Sequence, residues 1–254
     1  MNDQLAERLE NGFHAGYVVP VLAGLLLAAL FPSSRGIADP VERSKYRWIQ
    51  ALTLIGALVG AKFAAIVGDL GWPLEPVGLE AVFLVGRSIT GALLFGFLTA
   101  ELLKIPFDYR TPPNDRFAMI LPFSIAIGRV GCMLVGCCGG RETDSLLALP
   151  DHEGVMRHPT ALYDLLFHLG LGIAFVLMQR RSVMKHRLFA LHLVLYGLFR
   201  FAIEPLRDSR LYAGPLSAYQ LFAIAMVVCG LWSLRRNTPR ETTIAPEGAL
   251  SRAT

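Results

Sequence analysis

The stretch that decides the fold is Gly128–Arg141, GRVGCMLVGCCGGR. It continues an apolar run, FAMILPFSIAI, and so sets Arg129 inside a helix of membrane-spanning character. Cys132, Cys137 and Cys138 follow on that helix and just beyond it. A charge placed in hydrocarbon is costly, is rare for that reason, and usually marks function. The rest of the chain is therefore read by asking which residues can gather around Arg129.

Composition supports the membrane reading. Of the 254 residues, 54% are hydrophobic and 17% charged, with a mean hydropathy of +0.48. A soluble domain carries roughly 25% charged residues. Apolar stretches lie near 15–31, 49–70, 81–103, 117–136, 159–178, 188–204 and 215–234. Each is close to the about 20 residues that a helix needs to cross a bilayer. The expectation is an all-α, polytopic protein of seven transmembrane helices, forming one membrane domain over 1–236. A polar tail, 237–254, is expected to be disordered.

Loop charge sets the expected orientation. Arg35, Arg43, Lys45 and Arg47 follow span one; Lys104, Arg110 and Arg116 follow span three. Arg180, Arg181, Lys185 and Arg187 follow span five, and Arg235, Arg236 and Arg240 follow span seven. The loop after span two, GWPLEPVGLE, has no Lys or Arg. Positive loops stay inside, which puts the N-terminus outside and the C-terminus in the cytoplasm. The acidic start MNDQLAERLENGFH lacks a basic n-region and is read as retained rather than as a signal peptide. A net charge of +4, spread over loops, offers no nucleic-acid face.

Depth then groups the buried cations. At about 1.5 Å per residue, Arg129 lies roughly 18 Å above the cytoplasmic edge and Lys62 about 20 Å above it. Arg200 reaches a height similar to that of Arg129, and Arg87 lies roughly 9 Å below the outer edge. In a core about 30 Å thick, all four fall in the outer half. Glu204 stands four residues after Arg200 and can pair with it on one helix face. Asp69 and Asp164 are the other nearby acids. One reading makes these acids packing partners of the cations. The other places an anionic ligand there, because the planar arginine fork grips phosphate through paired, charge-assisted bonds. A phospholipid head group supplies such a phosphate from within the membrane.

The motifs are GAK in span two, GRSITGAL in span three, IGRVG and GGR around span four, RHPTALYD entering span five and LYGLFRFAIEPLR in span six. Span seven adds a Gln near its start. Together they resemble the prolipoprotein diacylglyceryl transferases of bacterial inner membranes. That resemblance implies transfer of a diacylglyceryl group from phosphatidylglycerol to the lipobox cysteine of a prolipoprotein, whose signal peptide is the partner. Glycerol phosphate leaves, and neither cofactor nor metal is required. Carried over by position, Arg129 and Arg200 hold the phosphate. Tyr196, Glu204 and Arg207 complete the span-six motif, His158 and Tyr163 the HPxxLY element, and Gly140 and Arg141 the closing Gly-Arg. Lys62 stands where the family has arginine, and Arg87 joins the substrate-binding set. Two elements differ. The family's Asn and Asn-Gly-Glu after GRxG are here Cys132 and Val135-Gly136-Cys137, and its His-Gly-Gly in span three is Thr90-Gly91-Ala92.

The chemistry requires a thiolate, an electrophilic carbon and a stabilised leaving phosphate. Thr90 is no base at neutral pH, which leaves His158, His168 and Asp164; His158, at the outer interface, is the first choice. The cysteine cluster has three readings: a disulfide or packed thiols, a nucleophile beside Arg129 (Cys132 or Cys137), and a soft-metal site. The spacing C-x4-C-C is not a standard zinc pattern. Cys229, in span seven, reads as a core residue.

Overall fold

The computed structural model describes residues 15–30, 37, 39–70, 86–109, 115–136, 138–151 and 153–236. His14, the loop 71–85, Cys137 and the tail 237–254 lie outside them. The described chain is mostly helical. Its α-helices are α1 (Ala15–Leu30), α2 (Pro40–Ala65), α3 (Ile89–Lys104), α4 (Asp115–Val135), α5 (Thr160–Arg180), α6 (Leu188–Ile203) and α7 (Ala218–Arg236). A π-helical turn, Ile66–Leu70, extends α2, and a 3-10 turn, Glu204–Leu206, extends α6.

Among the described residues, five segments are long and apolar enough to cross a membrane: Pro40–Leu70, Ala118–Val135, Thr160–Arg180, Leu188–Leu206 and Ala218–Arg236. α1 and α3, at 16 residues each, are shorter. The all-α expectation needs one addition. Loop backbone pairs into two short antiparallel ladders, β1 (Leu149–Pro150) with β2 (Met156–Arg157) and β3 (Leu211–Ala213) with β4 (Leu216–Ser217).

Helices pack as neighbouring pairs, α2 on α3, α4 on α5 and α6 on α7, with α1 against α4. Small residues let the backbones approach, as membrane helix packing requires. A Cβ on Gly197 would meet the Val227 side chain at 2.7 Å and the Ala223 carbonyl at 2.9 Å. Gly230 faces Val194 and the Ala190 carbonyl at the same two distances, so the α6–α7 contact is reciprocal and antiparallel. α6 also touches α3, α4 and α5 and sits at the centre. Tyr196, Leu193, Leu93, Leu94, Phe97 and Met226 form the principal core cluster. Cys229 packs against that cluster, as a core residue should.

The ends of α4, α6 and the α2 extension meet the starts of α3, α5 and α7 at one end of the bundle. Gly136, at φ 68°, closes α4 in the left-handed conformation that favours glycine. Ser88 caps α3 by accepting from Gly91 N at 3.3 Å. This cap corrects the position of Arg87. The apolar run begins near 81, but the described helix begins at Ile89, so Arg87 precedes the cap and is exposed.

Candidate functional site

The site end is knit by three segments that are distant in sequence. Gly140 N donates to His158 O at 2.8 Å, His158 N to Arg141 O at 3.1 Å, and Arg141 N to Leu206 O at 2.9 Å. Thr160 Oγ1 donates to Cys138 O at 2.7 Å and accepts from Arg207 Nη1 at 3.1 Å. Arg141 Nε donates to Arg207 O at 3.1 Å. A Cβ on Gly140 would strike Thr160 and His158 at 2.8 and 2.9 Å, so only glycine lets the GGR segment lie this close. Arg141 and Arg207 thus tie loops together, the former exposed and the latter half-buried.

Two buried arginine–carboxylate pairs stand behind this frame. Arg129 Nη2 is ion-paired with Asp164 Oδ2 across α4 and α5. Arg129 Nη1 lies 3.8 Å from Cys132 Sγ and 3.7 Å from Cys138 Sγ. Its Nε is buried and has no hydrogen-bond partner among the described residues. Arg200 Nη1 approaches Glu204 Oε2 at 2.6 Å, the i,i+4 pair expected from sequence. The other Glu204 oxygen accepts from Ser217 Oγ at 2.9 Å. Ser217 and Gln220 cap α7 reciprocally: Ser217 N donates to Gln220 Oε1 at 3.0 Å, and Gln220 N to Ser217 Oγ at 3.2 Å. Arg200 also lies over the Tyr219 ring, 5.2 Å from its centroid, and Tyr219 donates to Asp69 at 2.8 Å. Thr160 and Tyr219 carry little signal in the sequence beyond a Thr in RHPT and a Tyr beside the Gln of span seven.

Asp164 and Tyr196 lie within electrostatic reach of both arginines, so the two pairs share one buried neighbourhood. Tyr196 is fully enclosed, and its hydroxyl has no partner among the described residues. Lys62, half-buried in the last turn of α2, lies within electrostatic reach of Arg87. The four expected cations therefore form two tiers: Arg129 and Arg200 enclosed, Lys62 and Arg87 nearer the surface. His158 is half-buried, with Nδ1 3.4 Å from the Tyr163 hydroxyl. No disulfide joins Cys132 to Cys138. The expected roles of Cys137 fall outside the described residues.

On the far side of Thr160 the loop carries a small charge cluster. Arg157 donates to Asp151 at 2.7 Å and to Glu142 at 3.1 Å. The Arg157 hydrogen bond holds the Asp151 carboxyl below its ordinary range, and backbone N–H groups of Val155 and Glu153 add to the effect.

Apolar helices enclosing arginine–carboxylate pairs define a polytopic helical membrane protein. The family model described as prolipoprotein diacylglyceryl transferase matches residues 14–236, and the chain belongs to that family. It is 27% identical to phosphatidylglycerol–prolipoprotein diacylglyceryl transferase 2 of Clostridium perfringens, over 82% of this chain and 85% of that protein. It is 32% identical to the phosphatidylglycerol–prolipoprotein diacylglyceryl transferase of Geobacter sulfurreducens, over 85% and 86%.

Proposed function

We propose that this chain transfers a diacylglyceryl group from phosphatidylglycerol to the lipobox cysteine of prolipoproteins. The observation that carries this reading is the enclosed Arg129, with a buried and unsatisfied Nε, which shares Asp164 and Tyr196 as electrostatic neighbours with the second enclosed arginine, Arg200. A buried donor left without a partner is costly, and a phosphate oxygen satisfies it. The activity named for the relatives agrees. The acceptor sulfur attacks the glyceryl carbon, a C–S bond forms and the C–O bond to phosphorus breaks. The electron pair leaves on glycerol phosphate, where the two guanidiniums stabilise it. His158 takes the thiol proton, steadied by Tyr163.

In this reading the chain is a seven-span protein of the bacterial inner membrane, N-terminus outside, with the site toward the outer leaflet. Phosphatidylglycerol and the prolipoprotein signal peptide reach it from the surrounding lipid. Lys62 and Arg87 meet the lipid head group first, while Tyr196, Glu204, Arg207, Arg141 and Tyr163 shape and hold the phosphate pocket. Complementation of a transferase-depleted bacterium tests this: growth restored by the parent and lost with Arg129→Gln supports it, and failure of the expressed parent to restore growth opposes it.

The contacts of Arg129 Nη1 with both Cys132 and Cys138 favour a second reading, in which Cys132 is the attacking nucleophile. The protein would then carry the diacylglyceryl group as a thioether. Intact mass after incubation with phosphatidylglycerol alone decides between the two readings. An adduct that survives reductant supports the second. No adduct, together with full activity of a Cys132→Ser, Cys137→Ser, Cys138→Ser protein, returns the cysteines to a packing role.

A further inference from the structure

Two histidines form a polar column that the transfer chemistry above does not use. α5 presents Asp164 and His168 one turn apart, and α6 presents His192, Tyr196 and Arg200 at four-residue steps that Glu204, in the following 3-10 turn, continues. His168, His192 and Tyr196 are fully enclosed. The His168 ring lies 4.7 Å from that of Tyr196 and 6.0 Å from that of His192, centroid to centroid. Phe167, Phe175 and Phe189 wall the pair with apolar rings.

The hydrogen bonds fix what His168 offers. Its Nδ1 lies 2.8 Å from the Asp164 carbonyl, which can only accept, so Nδ1 carries the hydrogen. The neutral ring then turns a bare lone pair inward at Nε2, which is buried without a partner among the described residues. Both nitrogens of His192 and the Tyr196 hydroxyl are in the same condition. Buried polar atoms are almost always satisfied, so four such atoms in one column call for a reason. Ionisable groups at membrane depth point to proton handling.

Asp164 connects this column to the anion site. One of its oxygens is ion-paired with Arg129, and the other lies 3.7 Å from His168 Nδ1. Each buried arginine already has a carboxylate, so a phosphate on Arg129 adds negative charge to a neutral pair. The groups facing His168 are Asp164 on its own helix, Arg129 on α4, and His192 and Tyr196 on α6. Of these, only the histidine pair gains a positive charge by taking a proton.

We propose that His168 and His192 are a proton-accepting pair, coupled through Asp164 to Arg129, so that phosphate binding at Arg129 draws one proton from solvent into the column. The proton enters on Nε2 of His168 and is shared with His192 through one water. The inference rests on the donor-lipid reading of the site but not on the transfer step. Asp164 and His168 are thereby positioning residues for Arg129.

The test is titration calorimetry of the full-length protein in detergent with a short-chain phosphatidylglycerol, at one pH in buffers of different ionisation enthalpy. The expected result is a buffer-dependent heat corresponding to uptake of about one proton, with affinity falling up to about tenfold per pH unit where uptake is complete. His168→Gln removes the buffer dependence and flattens the pH slope, and His192→Phe reduces both. Nitrogen-15 spectra of histidine-labelled parent protein give a readout that does not depend on a variant folding: adding lipid converts the His168 signal to the imidazolium pattern. Binding with buffer-independent heat and unchanged histidine signals overturns the coupling while sparing the lipid site. Absence of any binding overturns the lipid site itself, and the coupling with it.

Discussion

Arg129 and Asp164 come from different helices and are ion-paired with side chains only 11% and 2% exposed. A pair so enclosed is nearly unscreened by solvent, and removing one partner strands a charge in a poorly hydrated interior. Breaking such a pair costs about 3–5 kcal/mol, whereas replacing both members by apolar residues can be neutral. Asp164→Asn is therefore expected to lower thermal stability in detergent markedly. Arg129→Met combined with Asp164→Leu restores stability while leaving the protein inactive. Equal melting temperatures for Asp164→Asn and the parent would show that the pair holds nothing together.

Arg200→Lys keeps the charge but loses the planar fork and its stacking over Tyr219. Turnover of phosphatidylglycerol is expected to fall about tenfold or more, the equivalent of about 1.4 kcal/mol. Steady-state rates in mixed micelles check this, with parent-like kinetics as the opposing outcome.

The first acid, Glu204, was legible because i,i+4 spacing on one helix fixes the contact with Arg200. Asp164 was not assigned to Arg129, because depth arithmetic gives height along a helix and says nothing of the direction a side chain faces. The same limit affected the cations as a group: height put Lys62 and Arg87 level with the arginines, and burial separates them. Arg87 was misplaced for a local reason, since an apolar run continues upstream of the point where Ser88 caps α3. His192 escaped notice because a single histidine in an apolar helix carries no periodic signal. Its meaning appears only when α5 brings His168 alongside.

Packing of α6 on α7 gives a prediction independent of chemistry. Gly197→Leu forces a side chain into Val227 and the Ala223 backbone, and overpacking of this kind costs about 1–3 kcal/mol. Gly170→Ala is the control, because a Cβ there meets nothing within 4 Å. Thermal unfolding in detergent should separate the two variants, and equal midpoints would contradict the close crossing.

The loop around Asp151 should loosen only in acid. Its carboxyl is held below the usual value of about 3.9. Its contribution is then present above that value and is lost as pH falls through the lower folded value. Exchange of the Glu153 and Val155 amides, corrected for intrinsic rates, is expected to stay slow from pH 8 to 5 and to rise below about pH 4. Asp151→Asn should raise it at every pH, and exchange in that variant matching the parent at pH 7 would remove Asp151 from the account.

In the proposed reaction Arg129 and Arg200 hold the phosphate of a lipid whose diacylglyceryl group moves to a cysteine thiol. The most direct measurement reconstitutes the purified protein with phosphatidylglycerol vesicles and a synthetic lipobox peptide, and follows peptide mass together with released glycerol phosphate. The expected products are a thioether-linked diacylglyceryl adduct on the peptide cysteine and an equal amount of glycerol phosphate, both abolished by Arg129→Gln. An unmodified peptide, with folded parent protein binding the lipid, would contradict this reaction.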